Sequence, residues 1–256
     1  MDDSSAPLVR RTDDRGIAVL TLDSPHNRNA LSGRLMDQLH RALDEAGADP
    51  GTRGVLLTHT GTVFSAGADL SEAVSGDPAA GPLRLAALLR AIVELPKPVV
   101  ASVTGHVRAG GLGLLGACDV SAAGPDATFA FTEARLGLAP AVISLPLLPR
   151  LDPRAAGRYY LTGEKFGPAE AARIGLTTLA CDGDPAEALQ PVLDGLRAAS
   201  PQGLAESKRL VTAEVLRAFD RDTEALAAAS ARLFASEDAR EGMTAFLRRR
   251  PPRWAR

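Results

Sequence analysis

The feature that most narrows the fold is an alternation. Short apolar runs, closed by glycine or proline, take turns with segments whose apolar residues recur at helical spacing. Ile17-Ala18-Val19-Leu20-Thr21-Leu22 ends at the turn cluster Ser24-Pro25-His26-Asn27. From Ser32, a residue type suited to capping a helix, Leu35, Leu39, Leu43 and Ala46 mark one helical stripe up to Gly47. Val55-Leu56-Leu57-Thr58-His59 reads as a strand buried on both faces. A second stripe (Leu85, Leu88, Leu89, Ile92, Val93) follows Pro82, and Pro98 opens Val99-Val100-Ala101-Ser102-Val103. Residues 120–123 and the alternating Thr128-Phe129-Ala130-Phe131-Thr132 continue the strands. Such alternation needs crossover helices, and therefore parallel sheets in an α/β fold.

Beyond residue 150 the strand formers thin out. Asp152-Pro153 starts a helix that Gly163 stops, Pro168 starts one that Gly175 stops, and Ser200-Pro201 has cap and first-turn proline in the preferred order. The expected organisation is a core over 1–199 followed by a helical region over 200–256.

Composition removes several classes of function. The 29 Lys and Arg against 31 Asp and Glu give a net charge of −2, without the basic footprint of a nucleic-acid or membrane-surface protein. Two cysteines, Cys118 and Cys181, make neither a zinc cluster nor a disulfide framework, so no metal is expected. The longest mostly apolar stretch, 138–149, has 12 residues and three prolines, too short to span a bilayer. The acidic start Met1-Asp2-Asp3-Ser4-Ser5 is unlike a signal or transit peptide. The expectation is a soluble protein of the reducing cytoplasm.

Two small-residue loops follow strands: Phe64-Ser65-Ala66-Gly67-Ala68-Asp69-Leu70 and Ala109-Gly110-Gly111-Leu112-Gly113-Leu114-Leu115-Gly116. Small residues let a ligand approach backbone N–H groups, and a loop that opens a helix adds its positive end. The run 111–116 matches G-x-G-x-x-G, but a dinucleotide fold needs a crossover helix, a second strand and an acid ending it. Here Cys118-Asp119 follows at once, and a strand–helix–strand unit already lies upstream. The alternative is two backbone donors from separate loops converging on one oxygen, an oxyanion hole. Ala66 and Gly110 are the expected donors.

Together with Asn29-Ala30-Leu31, Lys97-Pro98-Val99-Val100-Ala101, Ala117-Cys118-Asp119, Leu161-Thr162-Gly163 and the run 236–247, these loops resemble the crotonase family, also called the enoyl-CoA hydratase/isomerase family. The resemblance covers about 8–254. It implies a crotonase-like spiral of ββα units with a C-terminal helical trimerisation region, an acyl-CoA substrate, no cofactor beyond the coenzyme A of the substrate, and a homotrimer or dimer of trimers. It places Ala66 and Gly110 at the oxyanion hole and Ala66, Gly67, Ala68 and Asp69, with Leu70, along the thioester arm. Phe246 and Arg249 fall near the adenine end.

Hydratases of this family typically carry two glutamates. The first would stand at Gly113 and is absent; the second falls at Glu133 and is present. In a strand, Glu133 would share the face of Phe129 and Phe131, where an apolar setting raises a carboxyl pKa. From the residues alone, a solvated acid paired with Arg135 is the alternative. One carboxylate suffices for a Δ3,Δ2-enoyl-CoA isomerase. Yet some single-glutamate hydratases, of the 3-methylglutaconyl-CoA type, carry glycine at the position of Gly113, and Leu138-Ala139-Pro140-Ala141-Val142-Ile143-Ser144 resembles them. The expected activity is hydration of a 2-enoyl-CoA, with isomerisation or acyl-CoA binding alone as alternatives. Arg108 is expected either to face the acyl pocket and bind a substrate carboxylate or to lie on the surface. Arg28 is either a contact for CoA phosphate or a helix-entry charge. Asp69 is expected to hold its loop, His106 to be structural, and Cys118 to be an inert buried thiol.

Overall fold

The structure is a computed structural model and describes residues 6–69, 72 and 80–255. The chain runs β1 (Val9–Asp14), β2 (Ile17–Leu22), α1 (Gly33–Ala48), β3 (Gly54–His59), β4 (Val63–Ser65), α2 (Ala80–Glu94), β5 (Val99–Val103), β6 (His106–Arg108), α3 (Gly110–Ala117), β7 (Val120–Ala123) and β8 (Phe129–Ala130). A 3-10 turn over Glu133–Leu136 leads to α4 (Ser144–Leu147), α5 (Pro153–Thr162), α6 (Pro168–Arg173), β9 (Leu179–Ala180), α7 (Pro185–Ala188), α8 (Gln190–Ala198), α9 (Pro201–Phe234) and α10 (Glu237–Leu247).

Successive strands divide between two sheets. One has the order β1-β2-β3-β5-β7-β9, parallel except for the antiparallel β1. The other is a parallel sheet, β4-β6-β8. After β1-β2-α1, whose two strands both join the large sheet, the ββα units β3-β4-α2 and β5-β6-α3 send their first strand to the large sheet and their second to the small one. This is the α/β spiral that the sequence led us to expect.

The helices start where the sequence carries caps. The Ser32 hydroxyl accepts from Leu35 N–H, the Asp152 carboxylate from Ala155 N–H and the Ser200 hydroxyl from Gly203 N–H. Each takes up an N–H that the first helical turn leaves without a partner. The α1 stripe (Leu35, Leu39, Leu43) and the α2 stripe (Leu88, Leu89, Ile92) are fully buried with Leu20, Leu57 and Val99 of the large sheet. At ~25 cal/mol per Å² of apolar area, this shared burial dominates the stability of the unit.

The long helix α9 is part of that core, since Val215 and Phe219 belong to the same cluster. Its buried Lys208 ammonium pairs with Asp119 at 2.8 Å and donates to the carbonyls of Ile92 (2.8 Å) and Lys97 (3.1 Å). These partners hold a cation that burial alone would neutralise. No helix among the described residues is long and apolar enough to cross a membrane.

One local expectation fails and one strand was not anticipated. The alternating run 128–132 forms a strand only over Phe129–Ala130, and Glu133 begins the 3-10 turn instead of continuing the strand. β1, which carries Arg10, Arg11, Asp13 and Asp14, had no apolar run to announce it.

Candidate active site

The small sheet gathers the site. Its strands are parallel, so the chain leaves all three at the same edge. β4 delivers Ala66, Gly67 and Ala68; β6 delivers Ala109 and Gly110; β8 delivers Glu133. The β6–β8 register sets Arg108 opposite Ala130, and Ala109 N–H donates to the Ala130 carbonyl at 3.4 Å. The carboxyl edge of parallel strands is where α/β sheets place ligands.

Asn29 builds the floor under the first loop. It sits in the left-handed region at φ 51°, directly after Arg28 at φ 61°, a conformation asparagine tolerates better than most residues. Its buried amide accepts from Ser24 N–H at 2.7 Å and donates to the carbonyls of Thr60 (3.1 Å) and Val63 (2.7 Å). Its carbonyl accepts from the Ser65 hydroxyl at 2.8 Å, and that hydroxyl accepts from Gly67 N–H at 3.2 Å. The loop is thus pinned by a polar network in which every Asn29 group is used.

The two loops touch at Gly67. At φ 89°, a Cβ there would lie 2.7 Å from Ala109 Cβ and 3.1 Å from Gly110 N, so only glycine fits. Ala109 has φ 46° and ψ −121°, strained for an alanine, and it turns the chain sharply into α3. Gly110 is the first residue of that helix, where an N–H has no partner within the helix and the helix dipole is positive.

The donor expected at Ala66 is corrected. Ala66 N–H donates to the Arg28 carbonyl at 3.0 Å and is unavailable to a ligand. Two residues on in the same loop, Ala68 is the next candidate. It pairs with Leu31 through a parallel bridge whose bonds come from its flanking residues, Leu31 N–H donating to the Gly67 carbonyl at 2.8 Å. Ala68 N–H therefore points away from that pairing, and no described residue accepts from it. Its nitrogen lies 3.6 Å from the point where a Cβ on Gly110 would stand, so the backbones of the two loops come close together here.

Glu133 is 7% exposed, and no described residue hydrogen-bonds its Oε2. Burial raises its pKa to about 7, against a smaller opposing effect of its own backbone N–H. The surface ion pair with Arg135 is not formed: Arg135 instead donates to the Thr162 carbonyl at 2.9 Å. The absent first acid has its place filled. A Cβ on Gly113 would stand 2.6 Å from Ile143 Cγ2 and 3.1 Å from Leu89 Cδ1.

Beside Ala68 opens a cavity of about 210 Å³, lined by Leu31, Met36, Leu85, Val142 and Phe234 among others, with Asp69 also on its wall. Arg108 is not among its lining residues. Its guanidinium donates to the carbonyls of Val107 (2.8 Å) and Thr128 (2.5 Å) and to the Thr128 hydroxyl (2.7 Å), and burial lowers its pKa. Arg108 therefore neither lines this cavity nor stands free on the surface; its guanidinium is tied to Val107 and Thr128. Arg28 is exposed, with its carbonyl as the working group. Exposed His106 shares the Thr128 hydroxyl at 3.0 Å. Phe246 is 53% exposed near the end of α10, whose Ala239 and Met243 pack beside Leu136 and Leu138. Cys118 is buried, its thiol pushed up to about 12 chiefly by desolvation. Leu70 lies outside the described residues.

No group of three or more His, Cys, Asp or Glu among the described residues could hold a metal ion. The chemistry this edge can perform is polarisation of a carbonyl by two backbone N–H groups beside one proton-carrying carboxyl.

Comparison with known proteins shows the family. A crystal structure of an enoyl-CoA hydratase from Mycobacterium avium is 53% identical, with a TM-score of 0.91 over 99% of this chain and 100% of that one. The carnitinyl-CoA hydratase of Mycobacterium avium is 28% identical, with a TM-score of 0.85 over 98% of this chain and 100% of the other. Enoyl-CoA hydratase EchA19 of Mycobacterium tuberculosis (strain ATCC 25618 / H37Rv) is 33% identical over 252 residues, 91% of each chain. Residues 12–256 match the family described as enoyl-CoA hydratase/isomerase. The chain belongs to the enoyl-CoA hydratase/isomerase family.

Proposed function

We propose that this protein hydrates 2-enoyl-CoA thioesters, with Glu133 as its single proton carrier and the N–H groups of Ala68 and Gly110 as its oxyanion hole. The observation that supports this reading is the buried Glu133 carboxyl, its Oε2 without a hydrogen-bond partner among the described residues, at the sheet edge that also presents those two donors. The thioester carbonyl sits between the N–H groups, which stabilise the charge that develops on its oxygen. Ionised Glu133 takes a proton from water as the water oxygen bonds to the β-carbon. The electron pair of the double bond moves onto the thioester oxygen, forming an enolate. Glu133 then returns that proton to the α-carbon on the same face, which makes the addition syn. The coenzyme A belongs to the substrate, and the reaction calls on no other cofactor. The cavity beside Ala68 takes the acyl chain.

Isomerisation of a 3-enoyl-CoA is the second reading, favoured by the filled space at Gly113, since moving a proton between two carbons needs one carboxylate. Purified protein offered both a 2-enoyl-CoA and a 3-enoyl-CoA distinguishes them. Absorbance of the conjugated thioester falls on hydration and rises on isomerisation. Tight acyl-CoA binding with no change in either assay would overturn both readings in favour of a binding protein. Assembly as a homotrimer or dimer of trimers is a separate proposal, which light scattering tests.

A further inference from the structure

Hydration with one acid leaves a question of geometry. A water molecule carries two protons, and Glu133 receives only one. Something must accept the other, or the water turns freely and its lone pair is not aimed at the β-carbon.

A polar pair lies on the segment that returns past Glu133, whose carbonyl accepts from Leu138 N–H at 2.9 Å. Ser144 follows Ile143, the residue that fills the place of a side chain at Gly113. The Ser144 hydroxyl donates its proton to the Pro140 carbonyl at 2.6 Å, and its oxygen lies 3.4 Å from the Tyr160 hydroxyl. Having given away its one proton, Ser144 Oγ can only accept there, so Tyr160 is the donor of that contact. Burial, followed in smaller measure by the Glu133 charge, keeps the Tyr160 phenol protonated and able to donate. The Tyr160 ring packs on Phe131, two residues before Glu133, with ring centres 4.6 Å apart. Ser144 Oγ retains a second lone pair.

We propose that Ser144 accepts the second proton of the attacking water as a hydrogen bond, with Tyr160 as the positioning residue that fixes the Ser144 oxygen. The water then has two fixed acceptors, Ser144 and Glu133. Only Glu133 takes a proton in the step; Ser144 and Tyr160 keep theirs, so the balance of the addition is unchanged. This inference rests on the hydratase reading above.

Two assays on the same protein separate the claims. Hydration of a 2-enoyl-CoA needs a held water. Exchange of the α-proton of a saturated acyl-CoA with deuterated solvent needs only Glu133 and the two N–H groups. Ser144→Ala is expected to lower kcat for hydration by about tenfold or more, the loss of one oriented hydrogen bond, with KM and exchange unchanged. Tyr160→Phe should lower it less, and Ser144→Thr should restore it. Unaltered exchange also certifies that the variants fold. Hydration and exchange falling together would make Ser144 merely structural and overturn the inference, as would hydration unchanged in Ser144→Ala. A wild type that exchanges without hydrating overturns the inference and leaves Glu133 as the base of an isomerase. A wild type that does neither removes the hydratase reading itself.

Discussion

Ile143 stands against Gly113 so closely that a Cβ on the glycine would meet Ile143 Cγ2 at 2.6 Å. The position at which the family resemblance implies a first glutamate is therefore packed, with Leu89 Cδ1 3.1 Å from the same point. The single-carboxylate site is built into the core and does not reduce to one missing side chain. Gly113→Glu is expected to lose about 1–3 kcal/mol or more of stability to overpacking, and to gain no hydratase rate. Thermal unfolding and kcat check this together. A stable Gly113→Glu variant with raised kcat would show that the space opens readily.

The donor assignment can be separated from its neighbour by deleting one N–H at a time. Lactic acid incorporated in place of alanine turns the amide into an ester and leaves the shape almost unchanged. At Ala68 it should cut kcat by about 10²–10³ with little change in Tm. At Ala66 it should remove only the bond to the Arg28 carbonyl, costing about 1 kcal/mol of stability and little rate. The opposite pattern would return the oxyanion hole to Ala66.

That reversal shows where the sequence stopped being legible. The strands over 17–22 and 99–103 and the helices capped by Ser32, Asp152 and Ser200 were readable because local spacing and capping chemistry determine them. The small sheet was not, since strands of two or three residues carry too little pattern. β1 escaped for a related reason: it pairs on one side only and keeps its charges exposed. Which N–H of the first loop is free depends on the Arg28 carbonyl, which arrives from 38 residues earlier in the chain. Arg108 misled likewise, because its partner Thr128 lies 20 residues away. Glu133 was found by resemblance, and its burial comes from a turn that the alternating pattern disguised as strand.

Ala109 stores backbone strain at the junction of the two loops. Ala109→Gly should relieve it and raise stability by about 1 kcal/mol, measured by denaturant unfolding. A loss of stability would mean that the alanine methyl contributes more by packing than its conformation costs.

Glu133 should also impose a pH-dependent cost on folding. Its carboxyl titrates near 4.5 when unfolded and at about 7 when folded. The folded state therefore binds the proton more tightly. Its contribution to stability is complete below about pH 4.5 and is lost as pH rises through about 7. Glu133→Gln carries no such charge, so its stability relative to wild type should grow across that window by on the order of 3 kcal/mol. Parallel unfolding curves of the two proteins from pH 4.5 to 8 check this. A constant difference would mean that Glu133 is solvated in the folded protein.

The most direct test of the single-carboxylate account is the turnover of Glu133→Gln. The amide keeps the shape of the side chain but cannot carry a proton. General acid–base catalysis is worth 10²–10⁴-fold, so kcat for a 2-enoyl-CoA should fall by about that factor. Affinity for a non-reactive acyl-CoA should barely change, because the thioester is held by the N–H groups of Ala68 and Gly110. A Glu133→Gln enzyme that turns over within a few-fold of wild type would contradict the account.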